Sequence, residues 1–168
     1  MNIKKLENII NKSVMVFGKY YNLKISYKNI KLIELNLEYN NIHIYIPNKY
    51  KRTDNKSILK IALEKMYDEI AKQEIEQIME KTRIMLGFAP EDYEIKRMKK
   101  SLAKCTQDKR IIINPEIVKY DKKTIETIIL HEYCHLKYRP NSKKFTETIK
   151  KYMPNYENYI YAVSEMYY

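Results

Sequence analysis

The chain has 168 residues, of which 45% are hydrophobic, and a formal net charge of +11. A chain of this length can bury a core as one domain without disulfide or metal staples. No apolar run approaches the roughly 20 residues that cross a bilayer, and the charged N-terminal stretch lacks the apolar region of a signal peptide. These features exclude a membrane protein, and we expect a cytoplasmic location.

The charge and the cysteines say little about function. A basic surface could attract an anionic partner such as nucleic acid. The chain is also rich in isoleucine, asparagine and tyrosine, which indicates a compositional bias, so a solvated lysine-rich surface is the favoured interpretation. The two cysteines, Cys105 and Cys134, form no disulfide framework and are expected to be reduced thiols.

The N-terminal third predicts a helix and then a hairpin. Residues 3–17 carry apolar side chains at helical spacing, which predicts a short amphipathic helix that Gly18 ends. Apolar and polar residues then alternate at residues 35–39 and 42–46. Because asparagines 40–41 tolerate the positive φ of a tight turn, these two stretches predict a β-hairpin.

A long helix and two strands are predicted next. The helix runs over residues 57–86, with Ser57 as its cap and Gly87 after its end. Alternation at residues 93–98 and 110–114 predicts two strands that flank a polar link.

The next predicted helix, residues 124–136, carries the strongest functional signal, the sequence HEYCH. Its residues His131 and His135 are four apart, so they lie on one helix face and both imidazoles can reach a single ion. Zinc accepts such nitrogens at ~2.0–2.1 Å. The intervening Glu132 can take a proton from a metal-bound water, as in the HExxH pattern. Asp121 is predicted to cap this helix.

The C-terminal part predicts two further helices after a turn at residues 137–141. Ser142 is expected to cap the first, and Pro154 to stop it. The tail that follows predicts a short last helix. The remaining histidine, His43, alternates with the isoleucines of the predicted hairpin, and we expect it to be an exposed strand residue rather than a ligand.

The order of these elements resembles the YgjP-like metallopeptidase family, relatives of the SprT-like and broader zincin proteases. Three stretches carry the resemblance: KKSLAKCTQDKRIIINPEIV, IILHEYCHLKY and PNSKKFTETIKKYMPNY. The resemblance implies an α+β, zincin-like fold, with a small antiparallel or mixed sheet, a long helix and an HExxH helix. It covers residues 27–156. Residues 1–20 are therefore expected to form a helical extension, and residues 21–168 the YgjP-like domain, within a single globular unit.

Carried over residue by residue, the resemblance implies His131 and His135 as zinc ligands and Glu132 as the catalytic glutamate. Where the family has a third histidine ligand, this chain has Asn141. An amide oxygen is a poorer zinc donor than imidazole. Asn141 is the candidate third metal ligand, and a zinc ion held in this way would bind weakly. The alternative donors are Glu147, Glu157, Glu165 and Tyr138.

The leading interpretation is a zinc-dependent metallopeptidase-like protein. It would hydrolyse peptide bonds in a peptide or protein substrate by metal-activated water, with Glu132 as general base. Residues 110–114 are a candidate sheet edge for an extended peptide. The alternative is a catalytically impaired family member that acts as a protein- or nucleic-acid-binding module. The family resemblance implies a Trp-Gly-Ser-Cys turn where this chain has Leu102, Ala103 and Lys104 before Cys105. This altered turn and Asn141 favour the alternative, whereas retention of Glu132 favours catalysis. A nucleic-acid-associated protease is a third interpretation.

Overall fold

The computed structural model describes residues 13–52 and 55–167. The strands are β1 (Ser13–Val16), β2 (Lys19–Lys28), β3 (Glu34–Glu38), β4 (Asn41–Pro47), β5 (Asp92–Ile95), β6 (Ala103–Cys105) and β7 (Arg110–Ile113). The helices are α1 (Asn55–Leu86), α2 (Lys122–His135), α3 (Lys143–Tyr152) and α4 (Tyr156–Tyr167), with short 3-10 helices at Asn48–Tyr50 and Pro115–Lys119. This arrangement confirms the predicted α+β class. Within α1 the chain divides into two compact units, Met1–Tyr67 and Asp68–Tyr168.

The first unit is built on a mixed sheet in the order β1-β2-β4-β3. β3 and β4 are antiparallel, with Glu38 opposite Asn41, which confirms the predicted hairpin. Its turn is formed by Tyr39 and Asn40, one position earlier than expected, and Tyr39 takes the left-handed conformation with φ 51°. β2 lies parallel to β4.

One face of β4 lies in the core of this unit. The side chains on that face, Ile42, Ile44 and Ile46, are at most 5% exposed. The alternating His43 is 21% exposed, and its Nε2 lies 3.3 Å from the carboxylate of Glu38. His43 is thus on the opposite face of the strand, as expected, and no candidate metal cluster among the described residues includes it.

The helix predicted for residues 3–17 is wrong where the structure describes that stretch. Ser13–Val16 form β1, which pairs antiparallel with β2. Gly18, expected to end a helix, lies in the connecting turn with φ 75°. A short apolar run fits a helix or a strand equally well, and the partner strand decides between them. Residues 1–12 lie outside the described part, and a domain boundary after residue 20 would fall inside β2.

Helix α1 agrees with its prediction closely. It begins at Asn55, two positions before the expected cap Ser57, and ends at Leu86. Gly87 follows with φ 73°, and its N–H donates to the carbonyl of Arg83 at 2.9 Å. A left-handed glycine with such a bond is a common helix end. No helix in the described ranges is long and apolar enough to cross a membrane.

The second unit contains a three-stranded sheet in the order β5-β7-β6. β5 is parallel and β6 antiparallel to β7. The strands predicted near residues 93–98 and 110–114 are therefore present. The sequence does not predict β6, because three residues are too few to show an alternation of apolar and polar side chains. The expectation that residues 110–114 form a sheet edge is wrong, since β7 is central and pairs on both sides. The edge strands are β5 and β6.

Side-chain caps begin two of the helices that follow this sheet. Asp121 accepts a hydrogen bond from the N–H of Thr124 at 3.0 Å at the start of α2. Ser142 accepts one from the N–H of Phe145 at 3.3 Å at the start of α3. Both caps confirm the sequence prediction, because each satisfies an N–H that the first helical turn leaves unpaired. α2 and α3 share a buried cluster formed by Leu130, Cys134, Phe145, Ile149 and Met153.

Candidate metal centre

Helix α2 is the platform of the centre. Its apolar residues Ile125, Ile129 and Leu130 are fully buried, and the OH of Tyr133 donates to a backbone carbonyl of α1 at 3.0 Å. The helix is thus anchored by apolar burial and by a hydrogen bond on the side away from its histidines. A fixed backbone gives each ligand side chain a defined starting point.

The structure brings the HExxH side chains together. His131, Glu132 and His135 are half-buried, and one potential ligand atom from each lies within 4.8 Å of the others. The two imidazole centroids are 4.7 Å apart with an angle of 76° between the rings. Three such side chains gathered this closely could hold one divalent ion.

Strand β6 reaches Glu132 through its backbone. The N–H of Cys105 donates to Oε2 of Glu132 at 2.7 Å. The thiol of Cys105 instead points toward the carbonyl of Thr106, 3.6 Å away. Burial and the nearby charges of Glu132 and Asp108 raise the pKa of this thiol, so it stays protonated at neutral pH. Cys105 therefore serves the centre through its amide.

Burial sets the protonation of the centre. It lowers the pKa of His131 from 6.5 to about 4, with a smaller contribution from His135, and it also lowers the pKa of His135. It raises the pKa of Glu132 from 4.5 to about 7, against the opposing effect of the Cys105 N–H. At neutral pH both imidazoles are neutral, which is the form that binds a metal. Glu132 can gain or lose a proton in the same range.

An unpartnered nitrogen distinguishes His131 from an ordinary core histidine. Its Nδ1 is buried and has no hydrogen-bond partner in the described part of the chain. Buried polar atoms are normally paired, and an unpaired one costs ~1–3 kcal/mol. Two neutral imidazoles beside a carboxylate are also donors that suit zinc. The residues present therefore fit a zinc ion, which His131 and His135 would hold.

The candidate third ligand lies in a different environment. Asn141 is exposed, in the turn before α3, and has a left-handed backbone with φ 60°. Among the described histidine, cysteine, aspartate and glutamate residues, only the three HExxH side chains form a candidate metal cluster.

The residues named as alternatives to Asn141 for the third metal ligand have interactions of their own or lie outside the described part. Glu147 is 62% exposed and lies 3.8 Å from Lys143, and Glu157 lies 2.8 Å from Lys150. Tyr138 packs against the buried cluster of α2 and α3. The side chain of Glu165 lies outside the described part.

Sequence reasoning missed two residues that build the centre. Phe145 packs against both imidazoles, and buried Asn114 donates to the carbonyls of Met98 and Ser101 at 2.8 and 3.2 Å, holding the loop that leads into β6. Asn114 lies in KKSLAKCTQDKRIIINPEIV and Phe145 in PNSKKFTETIKKYMPNY, two of the stretches that carry the family resemblance. Those signals were available, but they do not reveal what each side chain contacts.

A comparison with known families decides the class. The family model described as "YgjP-like, metallopeptidase domain" matches residues 3–161. The chain belongs to the YgjP-like metallopeptidase family. The match covers nearly the whole chain and begins within the stretch that was expected to be an extension. No curated protein matches the sequence.

Solved structures similar to this chain include two archaeal metallopeptidase zymogens. Abylysin of Pyrococcus abyssi is 22% identical with a TM-score of 0.46, over 51% of this chain and 87% of that one. Jannalysin of Methanocaldococcus jannaschii is 24% identical with a TM-score of 0.49, over 55% of this chain and 89% of that one. Because both TM-scores are below 0.5, neither likeness carries a conclusion about function.

Proposed function

We propose that this YgjP-like chain is a zinc-dependent peptidase in which His131 and His135 hold the metal and Glu132 is the general base. The observation that carries the proposal is the convergence of these three side chains within 4.8 Å on a buried helix. Membership in a metallopeptidase family gives the reaction class.

Each residue has a role that follows from its surroundings. When bound, zinc would act as a Lewis acid toward water and toward the peptide carbonyl. Glu132, with a pKa of about 7, would accept a proton from water and pass it to the departing amine. The Cys105 N–H holds Oε2 of this carboxylate at 2.7 Å, so proton transfer would fall to Oε1.

The substrate would be an extended peptide that pairs with β6. This strand is a sheet edge and ends at the residue whose N–H contacts Glu132. Edge strands present unpaired backbone groups that can bind an added strand. β6 thus takes the role that the sequence had suggested for residues 110–114. The family match offers no support for a nucleic-acid partner.

A specific observation favours a second candidate, a binding module that has lost catalysis. Catalytic zinc sites ordinarily have three protein ligands. The resemblance implies Asn141 at the family's third ligand position, and Asn141 is exposed. No further His, Cys, Asp or Glu of the described residues joins the cluster. Such a centre would bind zinc weakly or not at all.

Zinc content separates the two candidates. Elemental mass spectrometry on protein purified without chelator, beside a His131→Ala control, should give near-stoichiometric zinc that the substitution removes. Absence of zinc after loading would leave the binding module as the function.

Two further variants address catalysis. Glu132→Gln should retain zinc and lose hydrolysis of a peptide library, since the metal-holding imidazoles are intact while the base is gone. Asn141→His restores the family's third ligand type and should tighten zinc binding and raise turnover. Unchanged turnover in Glu132→Gln would eliminate this residue as the base.

A further inference from the structure

The ring of Phe145 contacts both candidate zinc ligands. Its centroid lies 5.0 Å from that of His131, with the rings perpendicular at 89°. It lies 4.8 Å from that of His135, with an angle of 40°. One side chain from α3 therefore touches the two imidazoles of α2, which also pack edge-to-face on each other. Aromatic rings at these separations prefer offset-stacked or edge-to-face arrangements, so each contact restricts the orientation of the rings.

The orientation of the His131 ring is not set by a hydrogen bond at Nδ1. A hydrogen bond at one ring nitrogen is the usual restraint on the orientation of a metal-binding histidine. The buried Nδ1 of His131 has no hydrogen-bond partner within the described ranges, so no hydrogen bond at this nitrogen orients the ring before a metal binds. The aromatic contacts of both imidazoles are with each other and with Phe145.

Phe145 is itself held rigidly. It is 1% exposed and belongs to the buried cluster that contains Ile149 of the next helical turn. Its backbone N–H donates to the Ser142 cap at 3.3 Å, which places it in the first turn of α3. A side chain with these restraints can transmit a fixed geometry to its neighbours.

We infer that Phe145 is a positioning residue that orients His131 and His135 for a zinc ion by ring packing in place of hydrogen bonding. The inference rests on the proposed zinc site. It assigns to α3 a contribution to the centre that does not require a ligand from Asn141. With only two imidazoles available, pre-orientation matters more, because each freely rotating ring adds an entropic cost to binding.

Phe145→Leu tests this role against a matched control. Leucine keeps the position apolar but removes the ring, and the zinc Kd should rise by ~10–100-fold, as for loss of other supporting contacts at metal sites. Ile149→Val removes one methylene from the same cluster and leaves the ring of Phe145 in place. This control should lower stability and leave the Kd unchanged. Phe145→Tyr, which keeps the ring, should retain most of the affinity.

Three readouts make the result decisive: the zinc Kd by competition with a chromophoric chelator, the d–d absorption of the Co²⁺-loaded protein, and the imidazole proton shifts of the metal-free protein. Phe145→Leu should change all three, because removal of the ring abolishes its ring current at both histidines.

Equal loss of affinity in Phe145→Leu and Ile149→Val would show a merely structural role and overturn the inference. Unchanged affinity in Phe145→Leu would overturn it too. Failure of the unaltered chain to bind zinc would instead refute the proposed function, and the positioning role with it.

Discussion

Replacing Glu132 with glutamine should alter how the stability of the metal-free protein depends on pH. The folded-state pKa of this carboxyl is about 7, against 4.5 in its ordinary state, because burial disfavours its charged form. Between these values the folded state holds a proton that the unfolded state has released. Stability contributed by Glu132 is therefore fully present below pH 4.5 and is lost as the pH rises toward 7.

The size of the effect follows from the two pKa values. At ~1.4 kcal/mol per pKa unit, the full change is about 3 kcal/mol, of which about 2 kcal/mol falls between pH 4.5 and 6.5. Glutamine does not titrate. The free energy of unfolding of Glu132→Gln, minus that of the unaltered chain, should thus increase by ~2 kcal/mol over this interval.

The unaltered chain alone would conceal this effect, since His131 acts in the opposite direction. Its pKa falls from 6.5 to about 4 on folding, so its contribution is present above pH 6.5 and lost as the pH falls toward 4. The contributions of Glu132 and His131 are similar in size and opposite in sign between pH 4.5 and 6.5, and His135, whose pKa burial also lowers, acts in the same direction as His131. Only the difference in the free energy of unfolding between Glu132→Gln and the unaltered protein isolates the contribution of Glu132.

Urea denaturation in the presence of chelator, followed by circular dichroism at several pH values, measures this difference. Glu147→Gln removes a carboxylate that is 62% exposed and serves as the control for loss of one negative charge. A Glu132→Gln difference that stays constant from pH 4.5 to 6.5 would refute the reasoning. It would mean that Glu132 titrates alike in the folded and unfolded chains.

Three further substitutions test how the centre is supported, each by urea denaturation. Asp121→Ala should lower the free energy of unfolding by ~1 kcal/mol, because it removes the cap of α2, whereas Asp121→Asn should retain most of it. Tyr133→Phe should cost ~0.5–1.5 kcal/mol, because the buried hydrogen bond from the Tyr133 hydroxyl to the Met79 carbonyl is lost. Asn114→Ala should cost on the order of 3 kcal/mol, because it abolishes the bonds to the Met98 and Ser101 carbonyls. Losses below ~0.5 kcal/mol would show that these bonds are replaced by water.

Features that depend on neighbours in the chain were predictable from the sequence. The caps at Asp121 and Ser142 depend on an oxygen three residues before an N–H. The hairpin of β3 and β4 depends on alternation across a two-residue turn. Even here the observed turn lies one residue before the predicted one, since Tyr39 rather than Asn41 adopts the positive φ. Side-chain period determines which residues face the core, but the register of pairing selects the turn.

Features that depend on distant partners were not predictable. Residues 13–16 read as part of a helix, and pairing with β2 makes them a strand. The short β6 carries no period of its own and exists because β7 lies beside it. β7 in turn is the central strand, so the edges of this sheet are β5 and β6 rather than residues 110–114.

The sequence by itself determined that His131, Glu132 and His135 share one face of a helix, because helical spacing is a local property. The family resemblance of the sequence implied that Asn141 stands where the family has its third histidine ligand. Only the tertiary structure decided what surrounds them, because Phe145 and the Cys105 N–H come from other elements. The protonation of the centre belongs to that second group. It depends on burial, which is the sum of contacts from the whole fold rather than a property of any one stretch.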